Sequence, residues 1–387
     1  MINLFLVFLR LGMTSFGGPV AHLSFFRAEF VERKAWMSEK DYADLVALCQ
    51  FLPGPASSQV GLAVGYYQGS YVGAFIAWLG FTLPSALLMV LFALGINHYH
   101  IPIGALLGLK LVAVAVVAQA ILAMGRSFCR ELKTIIIALS AALLLIFSPN
   151  YLVQFLVIIV GGLLGLFFVK PVARITNKAI EASIRPPNNA LVFLLVFFFL
   201  LIVLPILAKQ SGNQALLLFD IFYRVGSLVF GGGHVVLPML QAELVPQGIV
   251  NTDQFLAGYG AAQAVPGPLF TFAGFLGAVT PTIQSSWFGG LICLVAIFLP
   301  SFLLVLACLP YWDHLREYTA VQAALVGVNA AVVGVLVAAF YQPMLLSSIS
   351  SGYHVLFGLL AFVALQQFKL PSWLVVILGA LMGALFF

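Results

Sequence analysis

The chain has 387 residues, of which 63% are hydrophobic and only 7% charged. A soluble domain carries about 25% charged residues, so this composition excludes an ordinary globular enzyme and belongs to an integral membrane protein. The net charge of +5 does not point to nucleic acid, because the basic residues fall in loops between apolar runs.

The opening, MINLFLVFLRLG, has no basic n-region and no small-residue cleavage site, so it reads as part of the mature fold. Within it RLGMTSFGGP sets Arg10 into apolar sequence and follows it with Gly17 and Gly18. A basic loop over 27–40 comes next. The segments 42–52 and 56–68 are each too short to cross about 30 Å of hydrocarbon. They flank Pro53, Gly54 and Pro55 and read as one re-entrant hairpin broken near mid-membrane. Gln50 lies one helical turn before that break, and Ser57 and Ser58 lie just after it. Full spans are expected over 71–96, 103–125 (carrying Lys110), 133–148 and 150–169. A basic, proline-containing linker over 170–189 leads to ALVFLLVFFFLLIVLPILA at 190–208, which is long enough to cross as a helix. Alternating ten-residue strands are absent, which argues against a membrane β-barrel.

Beyond residue 213 the earlier phrases return in order. RVGSLVFGGG, with Arg224, Gly231 and Gly232, answers RLGMTSFGGP. AQAVPGP answers CQFLPGP, matching Gln263, Pro266, Gly267 and Pro268 to Gln50, Pro53, Gly54 and Pro55. IFLPSFLLVLACL answers FTLPSALLMVLFA, and ALVGVNAAVVGVL answers ALLGLKLVAVAVV, pairing Asn329 with Lys110. The offset drifts only from 213 to 219, the mark of one unit used twice. The halves are expected at 1–185 and 214–387, joined by a single connecting span within 186–213. One connecting span inverts the second copy. With the 27–40 loop in the cytoplasm, 13 of the 17 basic residues fall inside, one outside, and three (Arg10, Lys110, Arg224) within apolar segments. A parallel repeat would put the Arg316 loop outside and the acidic loop of Glu243 and Asp253 inside. The expected fold is therefore an all-α polytopic integral membrane protein, two homologous halves forming an inverted repeat with helices broken at the FGG and PGP motifs.

An arginine at the bilayer centre costs at least about 2.5–3.5 kcal/mol on insertion scales. Arg10 and Arg224 therefore need an interface, an acid such as Asp220, or an anionic substrate. Each glycine or proline break ends one helix and begins another, and a helix N-terminus offers unpaired N–H groups and partial positive charge. Discontinuous helices aimed at the midplane form the anion sites of inverted-repeat transporters. Simple helix bending is the competing reading of each break. In the second copy Phe270 and Thr271 replace Ser57 and Ser58. Glu29 and Glu243 match across the repeat as acids at a gate rim or in solvent, whereas His22 and His234 do not align. Cys49, Cys129, Cys293 and Cys308 are scattered, with no metal-ligand spacing, and read as small apolar filler.

The stretch FLRLGMTSFGGPVAHLSFFRAEFVERKAWMSEKDYADLVALCQFLPGPASSQVGLAVGYYQG resembles the N-terminal signature of the chromate transporter family. RVGSLVFGGGHVVLPMLQAEL and AAQAVPGPLF resemble that family's second-domain version, so the likeness covers nearly the whole chain in the two-domain form. The resemblance implies an inner-membrane protein that expels chromate, and importance for Arg10, Gly17, Gly18, Pro53, Gly54 and Pro55. No Walker A, GxGxxG or HExxH motif is present, so neither ATP coupling nor membrane hydrolysis has support. The expectation is a secondary transporter exporting chromate from the cytoplasm, without enzymatic activity, cofactor or metal. The alternative is a sulfate or other small-anion importer or channel. Expected partners are chromate or sulfate and membrane lipid, with a homodimer left open. The N-terminus is expected in the cytoplasm and the C-terminus outside.

Overall fold

The computed structural model describes residues 1–98, 102–168, 189–230, 233–281, 283, 285–312 and 318–387. Apolar runs become helices because only a helix satisfies every backbone polar group within its own segment in lipid. In the first half these are α1 (Ile2–Thr14), α2 (Gly18–Arg27), α3 (Glu39–Phe51), α4 (Ala56–His98), α5 (Ile103–Phe128), α6 (Leu132–Phe147) and α7 (Tyr151–Phe168). A lone helix, α8 (Ala190–Ser211), connects to the second half. There follow α9 (Gln214–Leu228), α10 (Val236–Leu244), α11 (Thr252–Ala262), α12 (Phe272–Val279), α13 (Ser286–Cys308), α14 (Thr319–Ala339), α15 (Gly352–Gln366) and α16 (Ser372–Phe386).

Starts are written in the sequence. Ser38, Asn213, Asn251, Ser285 and Ser351 each accept a hydrogen bond from a first-turn N–H of α3, α9, α11, α13 and α15, the usual work of an N-cap oxygen. α4 is two helices across a kink at Gly69 and Ser70, where backbone dihedrals leave the helical region. Its first piece therefore ends at the expected boundary.

Among the described residues, five helices are long and apolar enough to cross a membrane, beginning at Ala56, Ile103, Ala190, Ser286 and Thr319. The expected crossings at 133–148 and 150–169 emerge as α6 and α7, only 16 and 18 residues long. The 16 residues of α6 fall just below the ~17–25 residues of a crossing, and the 18 described residues of α7 lie at its lower edge. α15 and α16 have 15 residues each.

Packing repeats in kind. α1 lies along α4, and α9 lies along α13. α5 packs on α15 and α16, while α14 packs on α6 and α7. At these last crossings glycine faces glycine: Gly104 and Gly108 meet Gly383 and Gly379, and Gly161 and Gly165 meet Gly327. Lipid supplies little hydrophobic drive between helices, so close backbone approach through small residues carries the association. α8 packs on α9 and α13, and the Tyr223 hydroxyl donates to Phe197 O at 2.9 Å.

Candidate functional site: four interlocked helix breaks

All four motif breaks are breaks in helices. α1 ends at Thr14, Ser15 is extended, and Gly17 and Gly18 take φ of +97° and +78° before α2 begins. A side chain at either position would cost about 1–2 kcal/mol in backbone strain, which favours two consecutive glycines. α9 stops at Leu228, Val229 is extended, and the chain resumes at Gly233. Gly231 and Gly232 lie outside the described residues. At the PGP motifs, Gly54 (φ +119°) separates α3 from α4, and Gly267 (φ +93°) separates α11 from the turn leading into α12.

The breaks lock into one another across the two halves. Gly54 N–H donates to Val229 O at 2.7 Å, and Gly267 N–H donates to Ser15 O at 2.9 Å. Ser15 and Val229 match in the repeat, as do the two glycines, so the two bonds are reciprocal. A Cβ on Gly54 would fall 2.6 Å from Ser301 Oγ, and one on Gly267 would fall 2.9 Å from Ser85 Oγ. These serines end the two LPS motifs, again in matching places. A Cβ on Gly233 would lie 3.9 Å from Pro19 Cγ, its own counterpart in the first half. Pro53, Pro55, Pro266 and Pro268 fix the extended chain on either side of the two glycines.

The polar groups are distributed unequally. In the first half Ser57 Oγ lies 3.2 Å from His22 Nδ1, and the His22 ring stands edge-on to Phe81. Gln59 Nε2 donates to Pro53 O at 2.7 Å, bracing the break from behind. Ser15, Ser58, Gln59 and Thr82 are buried, and Ser15 Oγ, Ser58 Oγ, Gln59 Oε1 and Thr82 Oγ1 have no hydrogen-bond partner among the described residues. Buried polar groups are normally satisfied, and Gln241 in the second half is also buried with its amide atoms unpartnered among the described residues. The matching places in the second half hold Val229, Thr271, Phe272 and Phe298. Only Thr271 there is polar, and its hydroxyl is engaged with Pro268 O at 2.8 Å.

The expected charged residues separate into different roles. Arg224 is clamped by two acids: its Nε and Nη2 reach Asp220 at 3.0 and 2.9 Å, and its Nη1 reaches Glu243 at 2.5 Å. Both acids are nearly sealed, with side-chain exposures of 3% and 2%. Arg10 is exposed and pairs with no acid among the described residues. The difference is local: Leu6 stands where Asp220 would be, and Glu29 binds Arg33 at 3.1 Å. Lys110 is buried and reaches Asp253 of α11 at 2.6 Å and Ser347 O at 3.4 Å, tying the halves together away from the breaks. Asn329, its counterpart on α14, is half-buried. Gln50 is exposed at the end of α3. Gln263 is half-buried, with Nε2 unpartnered among the described residues and its carbonyl accepting from Ser372 Oγ at 3.2 Å. Sequence reasoning missed Ser15, His22, Gln59 and Thr82 as site residues. The paired LPS motifs were visible as repeats, but not as the serines on which the PGP glycines rest.

A helical membrane protein with interlocked broken helices at its centre is the architecture of a transport protein. The chromate transporter family matches residues 2–166 and 216–384, and the chain belongs to that family. It is 29% identical to an uncharacterized transporter of Methanocaldococcus jannaschii over 99% of this chain and 94% of that one. It is 28% identical to the chromate transport protein of Pseudomonas aeruginosa over 100% of this chain and 92% of that one. An uncharacterized transporter of Bacillus subtilis, 33% identical, matches over 23% of this chain and 50% of its own, so it is a little under half as long. No solved structure matches the chain.

Proposed function

We propose that the protein is a secondary transporter that exports chromate from the cytoplasm across the inner membrane, using two inverted halves, 1–185 and 214–387. The observation that carries this reading is the reciprocal exchange of Gly54 with Val229 and Gly267 with Ser15. It ties the end of α1 to the break before α12 and the end of α9 to the break before α4, and the N–H groups of the helices that start at these breaks would favour an anion. The basic residues distributed to one side support the inverted arrangement, and the half-length relative supports a repeated unit. The breaks (Gly17, Gly18, Gly231, Gly232 and the two Pro-Gly-Pro motifs) would form the pathway, Ser57 and Ser58 would line it, and Gln50 and Gln263 would flank it. Of the charged candidates, Arg10 is the cation best placed for substrate, because Arg224 and Lys110 hold acids of the protein itself.

Membrane potential supplies the direction. One charge crossing 100 mV is worth about 2.3 kcal/mol, so a dianion gains about 4.6 kcal/mol by leaving an inside-negative cell. At 1.4 kcal/mol per tenfold, that sustains an outward gradient of more than about a thousandfold without ATP. The test is flux from proteoliposomes loaded with chromate or sulfate, with the potential set by potassium and valinomycin. Chromate release should quicken when the loaded side is negative. Equal preference for sulfate would move the assignment to a general small-anion carrier, and indifference to potential with steep dependence on a pH gradient would replace it with electroneutral proton coupling.

A further inference from the structure

The turn between α15 and α16, residues 367–371, does not lie at the rim of the molecule. Ser372 Oγ donates to Gln263 O, the residue three before the second Pro-Gly-Pro, at 3.2 Å. The Trp373 ring sits 6.0 Å from the ring of Phe16, inside the first glycine break. Gln119 of α5 donates to Leu365 O at 3.4 Å, and α5 continues nine residues further, to Phe128. The turn is thus recessed, held at the depth of the breaks by contacts to both halves. The shortness of α15 and α16 places it there: 15 residues at about 1.5 Å each give roughly 22 Å, against about 30 Å of hydrocarbon.

Lys369 occupies this turn. It is exposed and pairs with no acid among the described residues. Its φ is +51°, closing α15 with a bond from Leu370 N to Ala364 O. That backbone conformation suits glycine or asparagine at a helix C-terminus, and a lysine there is strained. Helix termination alone would be better served by glycine. An ammonium facing hydrocarbon is expensive, which favours an arrangement with the Lys369 head in water. The counterpart turn in the first half, 148–150, consists of Ser148, Pro149 and Asn150 and carries no charge. The two entrances to the breaks therefore differ: one presents a lysine and the other does not.

Resting on the transport reading above, we infer that Lys369 is an anion-binding residue at one entrance of the translocation site, recruiting a tetrahedral oxyanion dianion to the breaks beside Phe16 and Gln263. All five residues of the turn are exposed, so the Lys369 ammonium is open to anions beside the breaks, and a cation there raises their local concentration to an extent screened by salt.

The experiment compares the parent chain with K369G, K369N and K369R in proteoliposomes, measuring chromate and sulfate flux against concentration on each face. K369G and K369N suit the backbone and should melt at or above the parent temperature. On the face the turn opens to, they should raise the half-saturating concentration about tenfold at low ionic strength, with saturated flux unchanged and the salt dependence flattened. K369R should stay within about twofold of the parent. A residue that only terminates α15 would leave half-saturation untouched in K369G and K369N, and that result overturns the inference while leaving the transport reading intact. If the parent itself moves neither chromate nor sulfate, the transport reading fails and this inference falls with it.

Discussion

The N–H of Gly54 donates to the carbonyl of Val229 at 2.7 Å, joining the Pro-Gly-Pro break of one half to the end of α9 in the other. The glycine is required twice over. Its φ of +119° disfavours a side chain, and a Cβ would fall 2.6 Å from Ser301 Oγ and 2.7 Å from Gln59 Nε2. G54A should therefore carry about 1–2 kcal/mol of backbone strain and about 1–3 kcal/mol of overpacking. In G54A/S301A the hydroxyl is gone, so part of the overpacking should be recovered while the strain remains. Thermal unfolding in detergent reads the cycle. A G54A protein that melts with the parent would mean that neither the positive φ nor the crowding by Ser301 and Gln59 requires glycine here.

The two arginines predict opposite phenotypes. R224A leaves Asp220 and Glu243 buried without their cation, which costs about 3–5 kcal/mol when a buried pair is broken on one side. R224M combined with D220N and E243Q removes all three charges and should restore most of the melting temperature. R10A removes an exposed side chain and should change stability by no more than about 0.5 kcal/mol, yet abolish anion flux. An R10A protein with full flux would take Arg10 out of the pathway.

Lys110 and Asp253 form a pair with unequal exposure, 9% and 72% at the side chains. Removing the acid strands a buried ammonium with Ser347 O as its remaining partner, so D253A should lose about 1–3 kcal/mol. K110M substitutes a buried charge with an apolar chain of similar length and should be close to neutral. K110M/D253A should then be more stable than D253A alone. Additive losses across the cycle would show that the pair does not couple α5 to α11.

Much of this arrangement was legible because repetition and breakage leave marks in composition. The boundary at 68 and 71, the two breaks around Gly17 and Gly54, and the repeat of Pro-Gly-Pro followed from helix length, φ demands and spacing. The partners were legible only in part. Asp220, one helical turn before Arg224, was a candidate partner from spacing alone and does bind it, whereas Glu243 lies 19 residues away across a break, and the spacing does not report which way that side chain turns. The pairing of Gly54 with Val229 joins residues 175 apart, and no local propensity encodes it. The recessed 367–371 turn was hidden for a different reason: 15-residue apolar helices look alike in sequence whether they line a crossing or stop short of one.

The inverted arrangement makes a sided prediction. Between Lys133 and Gly212 lie α6, α7 and α8, so these positions should face opposite compartments. Between Gly212 and Gln247 the helices among the described residues are α9 and α10, which in the inverted arrangement would enter and leave by the same face around the Val229 break, so these two should behave alike. Gln247 is preferable to the neighbouring Asn251, whose side chain caps α11 through Gln254 N at 2.8 Å and whose loss would cost about 1 kcal/mol. Single cysteines would be placed at each position in a chain lacking Cys129 and Cys308, the two native thiols that are not fully buried. An impermeant thiol reagent added to intact cells should label G212C and Q247C and spare K133C until the membrane is opened. Labelling of Q247C without G212C would mean α9 and α10 cross the membrane and do not form a hairpin. Labelling of K133C and G212C on the same face would place the two halves in parallel, with the two-fold axis of the reciprocal Gly54 and Gly267 bonds along the membrane normal and not in its plane, and would overturn the inverted arrangement.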